Sequence, residues 1–274
     1  MLLGAQLRRM REQAGITREE AGAVIRSSVS KISRLELGRT GFKLRDVNDL
    51  LSLYGVHDDA DRATPIALAQ QANTPGWWHA YGDVVPSWIG PYLGMEQAAR
   101  LIRCFEIRYV PGLLQTREYA RAVIRLAHSE AAETEINLRL ALRRRRQELL
   151  HQPDPPQLWA IIDEGVLRRP VGDSETMRGQ IGHMIELCQL RHVTIQVLPF
   201  SAGGHPAAGG AVTLLRFAEG YLPDVVYLEQ LNSAVYIDKP ADTLPYWTVF
   251  NSLATEAQDP VASIETMRRR LNEL

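Results

Sequence analysis

Residues 26–38 constrain the fold more than any other part of the chain. Their sequence, RSSVSKISRLELG, places Val29, Ile32 and Leu35 at every third position, which puts them on one face of a helix. Ser28 suits the N-cap, because its hydroxyl can accept a hydrogen bond from a free backbone amide, and the final glycine is typical of a helix end. The pattern predicts a short helix with an apolar underside and an opposite face of small hydroxyls and cations.

Amphipathic segments surround this helix. Residues 2–14 and 44–54 each repeat apolar residues at helical spacing. Between them, Thr17 followed by Glu20 is a capping-box pattern that begins a second short helix, in which Gly22 leaves room for close approach of a neighbour. We therefore expect residues 1–56 to form a compact all-helical domain of four to five helices.

The charge of the chain is unevenly distributed. The net charge is −1, yet residues 1–56 carry 10 Lys and Arg against 6 Asp and Glu, whereas the remainder carries 21 against 26. A basic amino-terminal unit on an acidic body is the asymmetry expected when one end of a protein meets phosphate groups.

Residues 3–39 resemble the Cro/repressor-like helix-turn-helix domains, often called the xenobiotic-response-element type. The ending I-S-R-L-E-x-G at residues 32–38 is the most specific part of the match. The resemblance implies DNA binding; a small helical bundle that docks on protein is the alternative. The chain departs from the family pattern at Ala21, which is usually Leu, and at Arg26, which is usually Gly. We expect Arg26 to require an unstrained turn of slightly different shape.

The resemblance also implies which residues contact DNA. Base contacts are expected from Ser28, Val29, Ser30 and Arg34. Arg34 suits a guanine and Val29 a thymine methyl group. Phosphate contacts are expected from Arg18, Lys31, Arg39, Thr40 and Lys43. Glu36 is expected to pair with a basic neighbour instead. Because such domains usually bind palindromes as dimers, we expect a homodimer on a palindromic double-stranded operator.

Residues 57–76 predict a helical linker that ends at an Asn-Thr-Pro-Gly turn, with a domain boundary before residue 77. The aromatic residues Trp77, Trp78, Tyr81, Trp88 and Tyr92 follow. They predict either a cage for a ligand or partner or a packed clasp between linker and body, since aromatic side chains bury large areas. His205, in a glycine-rich loop, is a further candidate for ligand contact.

Residues 77–274 predict an α+β domain with a small mixed or antiparallel sheet. We expect a helix over residues 94–106 that runs into a strand-like segment at 107–110. Further helices are predicted at 116–128, 133–151, 174–191, 245–257 and 260–274, and strands at 158–162, 193–198, 211–217, 225–231 and 234–237.

Residues 143–146 are four consecutive arginines. Successive helical residues point about 100° apart, so these four cannot share one face. We expect Arg145 to lie on the apolar stripe with Leu138, Leu142 and Leu149, ion-paired or extended to solvent. The other three are expected to form a solvated face or to contact an acidic partner protein.

Several segments from Trp77 onward, with VPGLLQTREYARAV as the most specific, resemble a large carboxy-terminal domain of unassigned function. It follows this helix-turn-helix in actinomycete regulators described as antitoxin-like or developmental, often encoded beside a small partner protein. The resemblance implies a transcriptional regulator whose carboxy-terminal domain receives a protein or small-molecule signal. The alternative is an antitoxin-like module that neutralises a small partner and only regulates its own gene through DNA.

We do not expect an enzyme, a cofactor or a metal. The candidates for catalysis are Asp163, Glu164, His183, His192 and His205. The two carboxylates more simply cap a helix, and the histidines lack the spacing of a helical zinc site. Two cysteines are too few for a disulfide framework. With no long apolar run, these features predict a cytoplasmic, nucleoid-associated protein.

Overall fold

The computed structural model describes residues 2–38, 40–74, 76–207, 209–218 and 222–274. The chain forms two compact units, one within residues 1–79 and the other over residues 80–218 and 224–274. Each unit has its own buried apolar core.

The amino-terminal unit is all-helical. Its helices are α1 (Leu2–Gln13), α2 (Arg18–Val24), α3 (Val29–Glu36), α4 (Leu44–Leu53) and α5 (Asp59–Ala72). Leu7, Ile32, Leu35 and Leu50 are fully or almost fully buried in one cluster to which all five helices contribute. The predicted helical domain is therefore confirmed.

Helix α5 lies in the stretch predicted to be a linker. Ile66, Leu68 and Ala69 pack on the same core as the other four helices. Arg62 joins α5 to the end of α4, because its guanidinium donates to the carbonyl of Val56 at 2.7 Å and to Asn48 Oδ1 at 2.9 Å. This helix is part of the packing of the first unit, and the exact domain boundary stays a prediction.

Helix α1 approaches the end of α3 closely at Gly4. A Cβ atom at this position would lie 2.5 Å from the carbonyl oxygens of Leu35 and Glu36. Only glycine permits this approach, because a methyl group would overlap the backbone of α3.

The second unit contains one six-stranded mixed sheet. Its strands are β1 (Ala99–Glu106), β2 (Gln157–Asp163), β3 (Val193–Leu198), β4 (Val212–Phe217), β5 (Val225–Glu229) and β6 (Ala234–Ile237). Its α-helices are α6 (Gly90–Ala98), α7 (Arg117–Ala127), α8 (Glu133–Gln147), α9 (Glu164–Arg168), α10 (Ser174–Leu187), α11 (Pro240–Glu256) and α12 (Pro260–Glu273).

The strands lie in the order β3-β2-β1-β4-β5-β6. Strands β1, β2 and β3 pair in parallel, and β4, β5 and β6 continue the sheet in antiparallel pairs. Phe250 and Leu253 of α11 pack with Phe105 and Leu214 on one face of the sheet. The predicted α+β class with a mixed sheet is confirmed.

The prediction for residues 94–110 is wrong. Helix α6 ends at Ala98, and the chain then forms β1, the strand between β2 and β4 at the centre of the sheet. A central strand is buried on both faces and lacks the alternation of a half-buried strand. Ile102, Arg103, Cys104 and Phe105 are all buried in succession, so these residues show no alternation of apolar and polar side chains.

Smaller differences occur at element ends. Strand β5 ends at Glu229 rather than residue 231, and α11 begins at Pro240 rather than residue 245. The predicted cap before α9 is confirmed, since Asp163 Oδ1 accepts a hydrogen bond from the amide of Gly165 at 2.7 Å.

The expectation for the arginine run is confirmed for the ion pairing of Arg145, but it is wrong for the position of Arg145 on the apolar stripe and for the solvated position of Arg143 and Arg146. Arg145 is exposed and pairs with Glu148, whereas Arg143 and Arg146 are half-buried. Leu142 is buried as predicted, but so are Ile136 and Leu140, and the buried face turns toward Arg143 and Arg146 instead of Arg145. Two of the four arginines are therefore interior groups rather than a solvated face.

We predict that Gly4→Ala lowers the free energy of unfolding by about 1–3 kcal/mol, because α1 must move away from α3. Urea denaturation of the full chain measures this change. Gly179→Ala in α10 is the control, since its Cβ would meet nothing within 4 Å; it should raise stability by about 0.5–1 kcal/mol. A Gly4→Ala variant as stable as the wild type would contradict the close approach.

Candidate nucleic-acid interface

Side-chain caps fix the starts of both helices of the helix-turn-helix. The amide of Glu20 donates to Thr17 Oγ1 at 3.2 Å, and the amide of Thr17 donates to Glu20 Oε2 at 2.7 Å. At the start of α3, the amide of Lys31 donates to Ser28 Oγ at 3.2 Å. The predicted capping box and the predicted N-cap are both confirmed, and they orient the first turn of α3.

The turn between α2 and α3 has Arg26 at the position where the family pattern has a glycine. Arg26 adopts a φ of 53°, the left-handed conformation that a glycine adopts without strain. Our expectation of an unstrained alternative turn is therefore wrong. Gly22 allows the turn to close, because a Cβ there would lie 2.8 Å from the carbonyl oxygen of Ser27.

Helix α3 has one buried and one exposed side. Ile32 and Leu35 are buried in the core, as predicted, whereas Val29 is 40% exposed. The expectation that all three share a buried face is wrong for Val29, which lies at the first position of the helix. An apolar side chain exposed there is free to contact a partner.

The remaining base-contact candidates lie on the exposed side of α3. Ser28, Ser30 and Arg34 are all exposed. Within the described residues, no hydrogen bond or ion pair holds the Arg34 guanidinium. A long cation without an internal partner can extend from the helix into a groove.

Glu36 joins three helices at the buried end of α3. It is 4% exposed and receives Arg11 Nε from α1 at 2.5 Å and Arg18 Nε from α2 at 3.0 Å. The hydrogen bond to Glu36 raises the pKa of Arg11. The expected pairing of Glu36 with a basic neighbour is confirmed, and Arg18 is held in the fold rather than free at the surface.

Lys31 is likewise held by a carboxylate. Its Nζ lies 3.0 Å from Oδ2 of Asp46, which is 2% exposed in the first turn of α4. The sequence placed Asp46 at a helix start but gave no sign of this partner. The two phosphate candidates Arg18 and Lys31 therefore each share their charge with an internal acid.

The basic segment after α3 is anchored by a residue that the sequence analysis missed. Asn73, after α5, accepts from the amide of Phe42 at 3.0 Å and donates to the carbonyl of the same residue. A single asparagine, two residues before a proline, carries no sequence signal for such a contact. Thr40 is half-buried and Lys43 is exposed at the N-cap of α4, while Arg39 lies outside the described residues.

The candidates for ligand or partner contact have different surroundings. Trp77 and Trp78 belong to the first unit, with ring centroids 5.9 Å apart. In the second unit Tyr81 is half-buried, and the carbonyl of Trp88 accepts from the Tyr236 hydroxyl at 2.5 Å. His205 is half-buried, 5.2 Å from the Phe105 ring. A common role for these residues stays a prediction.

Comparison with known proteins agrees with this geometry. Residues 2–64 match a helix-turn-helix domain family. Residues 89–269 match a family described as a domain of unknown function, DUF5753. The chain belongs to the DUF5753 family. No curated protein and no solved structure matches the chain.

The helix-turn-helix match in this DUF5753 protein indicates DNA binding and regulation, and it favours a regulator over an enzyme. The finer class, antitoxin-like regulators of actinomycete type, stays a prediction. In the parts of the chain that the structure describes, no helix is long and apolar enough to cross a membrane. Those parts also contain no group of three or more His, Cys, Asp and Glu side chains placed to hold a metal ion.

We predict that Arg26→Gly raises the free energy of unfolding by about 0.5–1 kcal/mol, because relief of the left-handed strain exceeds the added chain entropy. Chemical denaturation of the full chain measures the change. Gly15→Ala is the matched control: its φ is 68° and its Cβ would meet nothing within 4 Å. It should lose about 1 kcal/mol through backbone strain alone. A less stable Arg26→Gly variant would contradict the assigned turn.

Proposed function

We propose that this protein is a sequence-specific regulator of transcription that binds double-stranded DNA with the exposed side of α3. The observation that carries the proposal is Arg34. It is an exposed cation without an internal partner in the described residues, on a helix whose opposite side is fixed in the core by Ile32 and Leu35. A helix so held can enter the major groove while its long side chain contacts base edges.

The exposed side of α3 supports a definite division of contacts. Arg34 donates two hydrogen bonds to a guanine, and the exposed methyl groups of Val29 contact a thymine methyl. Ser28 and Ser30 are short enough to let the helix approach the floor of the groove. These four residues supply the specificity of the site.

Phosphate contacts surround this helix. Lys43 and Thr40 lie in the connection to α4, together with Arg39, and bind the backbone beside the groove. Arg18 and Lys31 also contact phosphate, with the N–H groups that are not bonded to Glu36 and Asp46. Because such domains place two recognition helices about one helical turn apart, we propose a homodimer on a palindromic operator.

We further propose that the second unit receives the signal that controls operator binding. The chain outside residues 1–56 has an excess of acidic residues, which suits it poorly to contact DNA itself. Its signal is a small molecule or the partner protein encoded beside it. Addition of that protein to the DNA complex at equal concentration distinguishes these two routes, since release or tightening favours the protein.

Selection of genomic fragments with the purified full chain tests the proposed function directly. We expect enrichment of one palindromic sequence over competitor DNA, because specific sites are bound about 10³–10⁷ times more tightly than non-specific DNA. Recovery of fragments without a common sequence would overturn the proposal.

We predict that Arg34→Ala weakens operator binding by about 1–3 kcal/mol and relaxes the preference at one base position. Fluorescence anisotropy with the selected operator and its single-base variants measures both effects. Arg268→Ala is the control, since Arg268 is an exposed arginine of α12, and it should leave binding unchanged. Unchanged affinity of the Arg34→Ala variant would exclude the proposed orientation of α3.

A second prediction concerns the salt dependence of binding. Lys43→Ala should lower the slope of log K against log salt concentration by about one, with little change in base preference. Lys239→Ala provides a close match, because Lys239 is also an exposed N-cap residue without a side-chain cap. Equal slopes for the two variants would remove Lys43 from the phosphate-contacting set.

A further inference from the structure

One face of the sheet carries a set of polar residues near the end of its central strands. Cys104 of β1 pairs with Thr213 of β4, which pairs in turn with Tyr227 of β5. Strands β1 and β5 run parallel to each other, so Glu106 and Glu229 lie two residues further along on the same face. They are two strand spacings apart, about 10 Å between Cα atoms.

Helices α6 and α8 cover this face with a paired cluster. Tyr92 of α6 stacks on Tyr227 at 4.2 Å and donates to Glu96 at 2.7 Å. Arg146 of α8 donates to the two oxygens of Glu96 at 2.9 and 2.8 Å. Tyr236 extends the aromatic stack, 5.2 Å from Tyr227. Tyr92, Glu96 and Arg146 therefore satisfy one another's hydrogen bonds and form a wall over this face.

The acids and the cation beside this wall are not paired in the same way. Within the described residues, no ion pair engages the half-buried carboxylate of Glu106 or the exposed carboxylate of Glu229, and Glu106 accepts no hydrogen bond. Arg143 donates to the side-chain amide oxygen of Gln115 and to no other group that the structure describes. Burial and the neighbouring Arg146 lower the pKa of Arg143 to about 10.

A buried hydroxyl points to the same place. Tyr227 is 4% exposed, and its hydroxyl has no hydrogen-bond partner in the described residues. Glu229 approaches it without the geometry of a hydrogen bond, and burial followed by the charge of Glu229 raises the pKa of Tyr227. Buried polar groups are almost always bonded. An unbonded hydroxyl beside Glu229, a carboxylate within electrostatic reach of Arg143, therefore indicates a place for a ligand.

We propose that this face binds a small zwitterion of the amino-acid type. Its ammonium group lies between Glu106 and Glu229 beside the tyrosine rings, its carboxylate is held by Arg143, and the Tyr227 hydroxyl completes the polar contacts. The rings favour an ammonium ion over a neutral group, and the arginine favours a carboxylate. As an effector site this inference rests on the proposed regulatory function, although ligand binding itself does not depend on DNA.

The test uses the full chain and the standard L-amino acids as probes. We expect at least one of them, at millimolar concentration, to raise the Tm. Titration calorimetry should then show that its N-acetyl derivative, without the positive charge, and its amide, without the negative charge, bind about ten- to a hundredfold more weakly. No stabilisation by any amino acid, or equal binding of the derivatives, would overturn the proposal.

Variants locate the site. Glu106→Gln and Arg143→Gln should each lose about ten- to a hundredfold in affinity for the same amino acid. Glu148→Gln and Arg145→Gln are the controls, because these residues form an exposed ion pair at the carboxy-terminal end of α8. Both substitutions should leave binding unchanged. Undiminished binding by the Glu106→Gln variant would overturn the proposal. If the protein binds an amino acid but selects no DNA sequence, the proposed ligand site is supported and the proposed function is overturned.

The stability of Glu106→Gln separates loss of binding from loss of fold. Burial, and then the charge of Glu229, raise the pKa of Glu106 from 4.5 to about 7, with Arg108 and Arg143 acting in the opposite direction. The native state therefore binds more protons than the unfolded state between these values, and its stability falls as pH rises through them. Without ligand, Glu106→Gln should be at least as stable as the wild type at pH 8, with the difference shrinking toward pH 5. A less stable variant at pH 8 would contradict the unpaired carboxylate.

Discussion

The carboxylate of Glu36 is the interaction on which the amino-terminal unit depends. It accepts from Arg11 of α1 and Arg18 of α2 while belonging to α3, so one side chain fixes the relative positions of three helices. A buried ion pair adds little net stability over apolar packing, because removing charges from water is costly. Here the ion pair fixes the relative orientation of the helices, since a guanidinium group donates to a carboxylate in only a few geometries. The rotation of α3 about its axis follows from this contact together with the burial of Ile32 and Leu35.

That rotation decides what α3 can present. With Leu35 and Glu36 turned inward, Arg34 and Ser30 must face outward, because neighbouring helical residues lie about 100° apart. The close approach at Gly4 has the same effect, since the carbonyl of Glu36 lies against α1. The exposed side of α3 is thus a consequence of the core rather than an independent surface feature, and any change of the buried side would also turn the groove-facing residues.

The sequence predicted most of the first unit because its signals are local. Caps at Thr17 and Ser28, apolar residues at helical spacing, and a final glycine each act within a few positions, and each was confirmed except for the burial of Val29. The partners Asp46 for Lys31 and Asn73 for Phe42 could not be predicted, because they join residues 15 and 31 positions apart and depend on how helices pack.

In the second unit, prediction from the sequence fails in the sheet for the same reason, because strand pairing joins residues that are distant in sequence. Strands β2, β3 and β4 have recognisable patterns of their own, but β1 is a strand because two neighbours bond to it on both sides. From the sequence alone, Arg103 of β1 is typical of the surface of a helix. In the structure it is buried between the sheet and α11. The inward turn of Arg143 could not be predicted either, since Leu142 and Leu149 made Arg145 the arginine in line with the apolar residues, whereas the buried residues of α8 also include Ile136 and Leu140.

The interior arginines of the second unit show why Arg143 stands apart. Arg146 has a carboxylate with two contacts. Arg103 has the Trp159 ring at 4.2 Å, Asn251 Oδ1 at 2.9 Å and a backbone carbonyl at 3.3 Å. Arg146 is thus compensated by charge, and Arg103 by aromatic and carbonyl groups, although the Nε of Arg103 has no hydrogen-bond partner in the described residues.

Arg143 donates to one amide, although Glu106, an acid without a hydrogen-bond partner among the described residues, lies within electrostatic reach. If stability alone determined this region, two opposite charges so placed would form an ion pair. Their separation leaves each able to bind a group of the opposite sign, and sites that bind ligands commonly retain such unfavourable groups at a cost in stability. The polar face between α8 and the sheet is therefore understood most simply as an arrangement that a zwitterionic ligand completes.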